Sequence, residues 1–258
     1  MIIFTHIPKT AGTTLKYILR NNFGVRHIDA AKVKKDIYTE DDLNFARKIF
    51  NRPLALSGHN LIDPASNIKE PGAKIITVLR DPLTRCASNY QDEVLRGKLK
   101  LSFEDWIAKE AHQNLSVKII SGSDNIEKAK TLLRESYHWV GITERFDESL
   151  KLLCIQINEP LNLQYRRMIT AGSNEIKSSI LNDPKSLELL KKHNALDQEL
   201  YNYALMEIFL PAIKEHKEVM SKISLPAQKK STWNDFKYRR SVGYNKFVYR
   251  QLIKLLKK

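Results

Sequence analysis

The run Lys74–Leu79 constrains the fold of this chain more than any other stretch of its sequence. Its β-branched and nearly continuous apolar character is typical of a strand covered on both faces, as central strands of parallel sheets are. Leu54–Gly58 and Trp139–Thr143 are further candidates for short buried strands, and helical patterns separate the strand candidates along the chain. Strands that alternate with helices favour an α/β fold with a central, mainly parallel sheet flanked by helices. Residues 160–183 are expected to be irregular, and a long helix is expected from about Asn194 to Val219.

The opening stretch, Ile3–Leu15, combines an apolar strand candidate with a short polar turn. The turn contains one lysine, Lys9, together with one glycine and three threonines, and an amphipathic segment with Ile18 and Leu19 on its apolar face follows at once. A strand, turn and helix in this order aim backbone N–H groups and a helix N-terminus at one point, which favours a bound anion. The lysine precedes the glycine, unlike in the Walker A pattern, so a standard NTPase is not expected. The alternative is an ordinary turn.

A second candidate anion site follows the strand Lys74–Leu79. Arg80 comes directly after the strand, and Ser88 lies eight residues further on, in a helix that Pro82 is suited to begin. Ligands of open α/β sheets bind beyond the carboxyl ends of the strands, so both side chains are within reach of a ligand at the first turn. The sequence therefore predicts a ligand with two separated phosphate-like groups.

At this point the sequence resembles the carbohydrate sulfotransferases, most closely the heparan sulfate 2-O and 6-O type and their bacterial relatives. Thr5–Thr14 is similar to the family's 5′-phosphosulfate loop, and Thr77–Tyr90 is similar to its 3′-phosphate motif. Val140–Ser149 and Asn194–Tyr201 also resemble segments of the family. The likeness spans about residues 1–210, with the motifs in the family's order.

The resemblance implies a P-loop-like three-layer α/β fold that binds 3′-phosphoadenosine 5′-phosphosulfate (PAPS) as a cosubstrate without a metal ion. Sulfonate then passes to an acceptor hydroxyl by in-line displacement, which requires positioning, charge neutralisation and activation of the nucleophile. The residues expected to bind PAPS are Pro8, Lys9, Thr10, Ala11, Gly12, Thr13, Thr14, Arg80 and Ser88.

Two residues are expected to be catalytic by the same resemblance. Lys9 is the candidate for the leaving oxygen, because a mobile point charge suits that position better than a rigid guanidinium. His59 follows the strand Leu54–Gly58, where members of the family carry their general base. A loop histidine with purely structural hydrogen bonds is the alternative for His59, and His6 is expected to be a packing residue.

Further polar residues are candidates for supporting roles at the site. Arg85 is either an additional phosphate ligand or a partner of an acid on its helix surface. The candidates for orienting His59 or recognising the acceptor are Asp63, Asp92 and Glu93. The residues at the position of the family's nucleotide-closing loop are Arg166, Arg167 and Ser173.

The formal net charge of +14 predicts an anionic partner. Much of this charge lies in residues 226–258, where ten Lys and Arg residues oppose one acid, Asp235, and alternate with aromatic and aliphatic residues. We therefore expect a sulfotransferase domain over residues 1–225 and a basic amphipathic C-terminal extension over 226–258. Such a segment is typical of contact with an anionic membrane, and a helix packed on the body with a solvated basic face is equally compatible.

The remaining composition points to a cytoplasmic protein, peripheral at the inner membrane surface if the extension binds lipid. Apolar residues start at Ile2 and Pro8 follows within the first turn, which does not fit a signal peptide, and no run reaches the ~18 apolar residues of a membrane span. Cys86 and Cys154 match no metal-binding spacing and are expected to be reduced thiols. Nucleic acid is not an expected partner, because no nucleic-acid-binding motif accompanies the charge.

The predicted function is transfer of sulfonate from PAPS to a hydroxyl of a saccharide or glycan, with a histidine general base. The alternative is a catalytically inactive nucleotide-fold protein that binds polyanions or a membrane surface. A P-loop kinase is disfavoured by the absence of a Walker A pattern.

Overall fold

The computed structural model describes residues 1–30, 37–97, 100–165, 174–226 and 232–256. Five strands form one sheet in the order β2-β3-β1-β4-β5, and every neighbouring pair is parallel. The strands are β1 Ile2–Thr5, β2 His27–Asp29, β3 Ala55–Gly58, β4 Lys74–Leu79 and β5 Tyr137–Ile142. The predicted α/β fold with a central parallel sheet is confirmed.

Helices connect and cover the strands. The α-helices are α1 Gly12–Phe23, α2 Glu40–Ile49, α3 Pro64–Asn67, α4 Pro82–Leu95, α5 Phe103–Ile107, α6 Leu115–Ser121, α7 Ile126–Glu135, α8 Phe146–Gln156, α9 Glu175–Asn182, α10 Pro184–His193, α11 Ala195–Tyr203, α12 Leu210–Glu215, α13 Lys217–Lys222, α14 Thr232–Gly243 and α15 Arg250–Leu256. Two π-helical segments, Ala204–Phe209 and Tyr244–Tyr249, join α11 to α12 and α14 to α15.

The register of the three central strands brings their carboxyl ends together. Thr5 at the end of β1 is paired with Gly58 at the end of β3 and with Thr77 of β4. The residues that follow these strands therefore emerge side by side at one edge of the sheet. Ile3, Phe4 and Ile76 are completely buried, as expected for central strands that helices cover on both faces.

A buried ion pair joins α4, the helix that follows β4, to α11. Arg85 on α4 donates to Asp197 on α11 at 3.3 Å, and neither side chain is more than 1% exposed. The carboxylate of Asp197 also accepts the N–H groups of Ser116 and Val117, at 3.0 and 2.9 Å, in the first turn of α6. Sequence reasoning placed Arg85 either at the ligand or in a pair with an acid on its helix surface. Arg85 does pair with an acid, but the surface location is wrong, because the guanidinium is enclosed with its carboxylate in the interior.

Two helical assignments differ from the prediction. The region 194–219 was expected to be one long helix, but it divides into α11, a π-helical segment, α12 and α13. Pro211 explains the irregularity, since it has no N–H for the regular hydrogen-bond ladder. Residues 160–183 were expected to be irregular throughout, but α9 forms there and packs on α4, where Ile180 is buried. The short edge strand β2 was not predicted.

The C-terminal helices α14 and α15 pack on the body through one face. Tyr238 packs against Tyr17 of α1, with ring centroids 5.1 Å apart, and the buried Tyr249 packs against Phe50 at the same distance. Asn245 is completely buried and bonds to the outer edge of β2, donating to the carbonyl of His27 at 2.9 Å and accepting from the N–H of Asp29 at 2.7 Å. A buried amide with both functions satisfied fixes how the extension lies on the sheet edge.

Cys86 is a buried free thiol and Cys154 a half-buried one, as expected from the sequence. None of the helices in the described part of the chain combines the length and the apolar composition needed to cross a membrane.

Candidate active site

The turn between β1 and α1 adopts an unusual backbone conformation. Lys9 and Ala11 both have positive φ angles, 67° and 59°, in the region that L-residues other than glycine rarely occupy. Such residues cost on the order of 1 kcal/mol or more each and cluster at ligand sites, because they turn neighbouring N–H groups toward one point. The carbonyl of Ala11 accepts from Thr14 and Leu15, so α1 starts at once and presents its N-terminus to the same point.

Two side chains hold this turn together from inside. Thr10 is completely buried, and its hydroxyl donates to the carbonyl of Ile7 at 2.9 Å. Gly12 lies against the ring of His6, because a Cβ atom at residue 12 would stand 2.0 Å from His6 Cδ2. Thr10 therefore closes the turn through its hydroxyl, and Gly12 is required by a close contact rather than by its φ angle.

Arg80 and Ser88, the predicted second anion site, reach the same space from β4 and α4. Asp81 caps α4 by accepting the N–H of Thr84 at 2.8 Å, and Pro82 stands in the first turn, so Ser88, in the second turn, is presented from a well-capped helix. Arg80 donates from Nη1 to the carbonyl of Lys9 at 3.0 Å. Its Nε atom is buried and has no hydrogen-bond acceptor among the described residues.

These groups line one cavity of about 980 Å³, which lies in the size range of small-molecule sites. Of the predicted PAPS-binding residues, all but Thr10 line it, as does the predicted base; they are Pro8, Lys9, Ala11, Gly12, Thr13, Thr14, Arg80, Ser88 and His59. The far wall is formed by residues that follow β5, including Thr143, Glu144 and Phe146.

Lys9 extends across the cavity toward α4. Its Nζ atom lies 3.3 Å from Asp92 Oδ1, and about a fifth of the side chain is exposed. Asp92 also accepts from Arg96, at 2.9 Å, so its charge is shared between two cations. A partly exposed ammonium in a shared ion pair is weakly held, which leaves it able to move to a stronger anion.

His59 is held in one orientation by the backbone of β1. Its Nδ1 atom lies 2.6 Å from the carbonyl oxygen of His6, and the two imidazole rings are 4.1 Å apart. Because a carbonyl only accepts, Nδ1 carries the proton and Nε2 keeps its lone pair. Burial lowers the pKa of His59, and the Lys16 charge acts in the same direction, while the bond to His6 opposes them. The imidazole is therefore neutral near pH 7 and able to accept a proton at Nε2.

Comparison with known proteins decides the family. The profile of the sulfotransferase family matches residues 1–204, which is most of the chain and includes the turn, His59, Arg80 and Ser88. The chain belongs to the sulfotransferase family. Among solved structures, it is similar to a sulfotransferase from Alicyclobacillus acidocaldarius, with 14% identity, a TM-score of 0.44, and coverage of 78% of this chain and 97% of that one. No curated protein matches the sequence.

None of the acids proposed as partners of His59 in this sulfotransferase contacts it. Asp63 accepts from Lys128 at 2.8 Å, Asp92 pairs with Lys9, and Glu93 accepts from the indole N–H of Trp106 at 3.0 Å. The orienting group is instead a backbone carbonyl, which the sequence does not reveal. Arg166, Arg167 and Ser173 lie outside the described residues.

The same part of the sulfotransferase contains a carboxylate that sequence reasoning missed. Glu144, which follows β5, lies 3.9 Å from Arg80 Nε, accepts the N–H of Asp81 at 3.2 Å and accepts from Tyr201 at 3.1 Å. It thereby supports the loop that carries Arg80. Among the described residues, no group of three or more His, Cys, Asp or Glu side chains is arranged to hold a metal ion.

Proposed function

We propose that this sulfotransferase transfers sulfonate from PAPS to a hydroxyl of a saccharide or glycan, with His59 as general base and Lys9 at the leaving oxygen. The observation that supports this most is that a neutral, oriented imidazole and a mobile ammonium border the same cavity as two separate anion-binding groups. A protein that only stored a nucleotide would have no use for an unprotonated Nε2 atom in that position.

The residues of the cavity fit the donor. The turn from Pro8 to Thr14 and the N-terminus of α1 offer N–H groups for the 5′ end, and Arg80 with Ser88 offers donors for the 3′-phosphate. The Nε atom of Arg80 makes no hydrogen bond to the described residues and lies 3.9 Å from Glu144, so an added phosphate oxygen would give this donor an acceptor. When bound, PAPS supplies a sulfonate group already attached to a good leaving group.

His59 and Lys9 divide the chemical work on this proposal. His59 Nε2 accepts the proton of the acceptor hydroxyl, and the carbonyl of His6 stabilises the resulting imidazolium through Nδ1–H. Lys9 leaves Asp92 and places its charge at the oxygen on which negative charge develops. Both groups are held on the backbone that follows neighbouring strands, so their spacing is fixed by the sheet register.

The test measures ligand specificity and then transfer. The product nucleotide 3′-phosphoadenosine 5′-phosphate (PAP) is expected to raise Tm without Mg²⁺, whereas ATP with Mg²⁺ is not. Stabilisation by ATP and Mg²⁺ alone would contradict the sulfotransferase proposal. Incubation with ³⁵S-labelled PAPS and a panel of saccharides then separates an enzyme from an inactive binding protein. Label that stays entirely in the donor across the panel would favour the inactive alternative.

We also propose peripheral contact with an anionic membrane, at its cytoplasmic face, through the outer side of the C-terminal extension. Among the described residues, six of the ten exposed large apolar side chains belong to this segment: Trp233, Phe236, Phe247, Val248, Leu252 and Leu255. Cations lie over three of the rings, with Lys246 Nζ 5.1 Å from the Phe247 centroid and similar contacts of Lys237 with Trp233 and Arg240 with Phe236. Exposed aromatic residues interleaved with basic ones suit the interface of an anionic bilayer.

Vesicle sedimentation tests this contact. Binding to vesicles with 30% phosphatidylserine is expected at low salt and is expected to weaken strongly as ionic strength rises. Replacing both Trp233 and Phe247 with Ser is expected to abolish it, whereas Met206→Ser, at an exposed apolar position outside the extension, is the matched control. Equal binding by all three proteins would refute the contact.

A further inference from the structure

A second cavity, of about 360 Å³, lies beside His59. His59 lines both this cavity and the larger one, so its imidazole forms part of the wall between them. The other polar residues of the second cavity are Lys16 of α1, Asp29 at the end of β2, Ser57 of β3, Asn60, and Arg250 of α15. A volume of this size is at the lower end of the range for small-molecule sites and suits a single sugar unit.

Positively charged side chains outnumber negatively charged ones around this cavity. Asp29 lies 2.6 Å from Lys16, 2.5 Å from Arg20 and 3.6 Å from Arg250. Among the described residues it is the only carboxylate within ion-pair distance of these three cations. The neighbouring His27 does not alter this balance, because burial holds its pKa well below the usual value and keeps it neutral. One anion for three cations leaves a surplus that a second anion would neutralise.

The pKa of Lys16 reflects the same excess of positive charge. Burial lowers the pKa of Lys16, and the charges of Arg20 and Arg250 lower it further, although Asp29 opposes them. An added anion beside Lys16 would therefore relieve repulsion among cations that the fold already brings together. Arg250 is the most adaptable member, since its side chain is about half exposed and its contact with Asp29 is long.

Asn60 adds an unused hydrogen-bond donor to this cavity. The residue is only 7% exposed, and its Nδ2 atom has no acceptor among the described residues. The backbone carbonyl of Asn60 accepts the N–H of Tyr38 at 2.9 Å, so the backbone that carries the side-chain amide is fixed. A buried amide donor without an acceptor is unfavourable, and an acceptor atom of a ligand would remove this cost.

We propose that the second cavity binds an anionic substituent of the acceptor, a carboxylate, sulfate or phosphate group on the sugar, through Lys16, Arg250 and the amide of Asn60. The proposal rests on the function proposed above and specifies the acceptor as an acidic saccharide. Because Arg250 belongs to α15, the proposal also gives this helix a role in substrate selection. This helix lies outside the residues 1–204 that match the family.

Isothermal titration calorimetry with PAP saturating tests this proposal. The probes are methyl β-glucuronide, glucose 6-phosphate and the neutral methyl β-glucoside. At least one charged sugar is expected to bind about tenfold or more tightly than the neutral one, as one well-placed charged contact provides. The two charged probes distinguish a carboxylate site from a phosphate site. Equal affinity for all three sugars, or binding by neither charged sugar, would overturn the proposal.

Substitutions assign the preference to the residues named. Arg250→Ala and Asn60→Asp are each expected to remove most of the preference for the charged sugar, and Arg250→Lys to retain part of it. Arg239→Ala, at an exposed arginine of α14 that does not line the cavity, is the matched control. PAP affinity is expected to stay unchanged in all variants. If the parent protein does not bind PAP, the donor assignment is refuted. If it binds PAP but shows no preference for a charged sugar, only this inference is refuted.

Discussion

Arg80 donates from Nη1 to the backbone carbonyl of Lys9 at 3.0 Å, so the arginine that follows β4 supports the turn that follows β1. The two ends of the proposed donor site are therefore joined directly. The same guanidinium keeps a buried Nε donor for the ligand. A planar group with several fixed donors can serve both purposes at once, which an ammonium cannot.

Replacing Arg80 with Lys is accordingly expected to weaken PAP binding by about 10- to 100-fold, even though the charge is retained. Calorimetric titration with PAP measures the loss. Arg134→Ala, at an exposed arginine on α7, serves as the control and is expected to bind PAP normally. An Arg80→Lys variant with unchanged affinity would show that the guanidinium geometry is irrelevant.

Lys9→Ala is expected to lower kcat by about 10²- to 10³-fold and to change PAP affinity little, because the ammonium acts on charge that develops during transfer. Lys9→Met tests the same point at nearly constant volume. Single-turnover transfer with labelled PAPS gives the chemical rate directly. An equal loss in kcat and in PAP affinity would instead assign Lys9 to ordinary ground-state binding.

His59→Ala is expected to abolish transfer while leaving the Kd for PAP within about twofold, since removal of a general base costs rate rather than donor affinity. His112→Ala is a matched control at a histidine outside the cavity. Retained turnover in the His59 variant would move the base to another residue.

The pH dependence of transfer follows from the lowered pKa of His59. The base works in its neutral form, so activity is expected to be constant near pH 7 and to fall only below the usual histidine value of about 6.5. Values of kcat/KM obtained from initial rates between pH 5 and 8 locate the pH at which activity falls on the acid side. A midpoint above pH 7 would conflict with a buried neutral imidazole.

Asp197→Ala is expected to destabilise the protein by about 3–5 kcal/mol, because it leaves the guanidinium of Arg85 buried without its partner and also uncaps α6. Urea unfolding measures the change in the free energy of unfolding. Glu199→Ala on the same helix removes only a surface pair with Lys130 and is expected to cost less than about 1 kcal/mol. Similar values for the two variants would mean that the interior pair contributes no more than a surface one.

Local pattern was sufficient for the parts of the fold whose signal lies within a few consecutive residues. Lys74–Leu79 is the strand β4 with the predicted bounds, and His59 follows β3 as expected. β2 escaped prediction because its three residues include the buried polar side chains of His27 and Asp29, which give no apolar run. Their burial depends on partners more than 200 residues away, such as Asn245.

The site was predictable in its side chains and not in its backbone contacts. The cavity residues after β1, β3 and β4 could be named because parallel strands deliver their successors to one edge. The carbonyl of His6 that orients His59, and the interior location of Arg85, depend on tertiary register and packing. No residue type in the sequence records either relationship.

The contact between Gly12 and His6 links the turn proposed to bind the donor with the histidine proposed as the base. A methyl group at residue 12 would collide with the ring of His6, and the carbonyl of that same histidine holds His59. A substitution at this glycine, in the turn proposed to bind the nucleotide, would therefore also disturb the proposed general base without changing the second cavity. On the proposed function, donor affinity and alignment of the base depend on the same contact, so acceptor preference can vary more freely at the distant residues of α15 than in this turn.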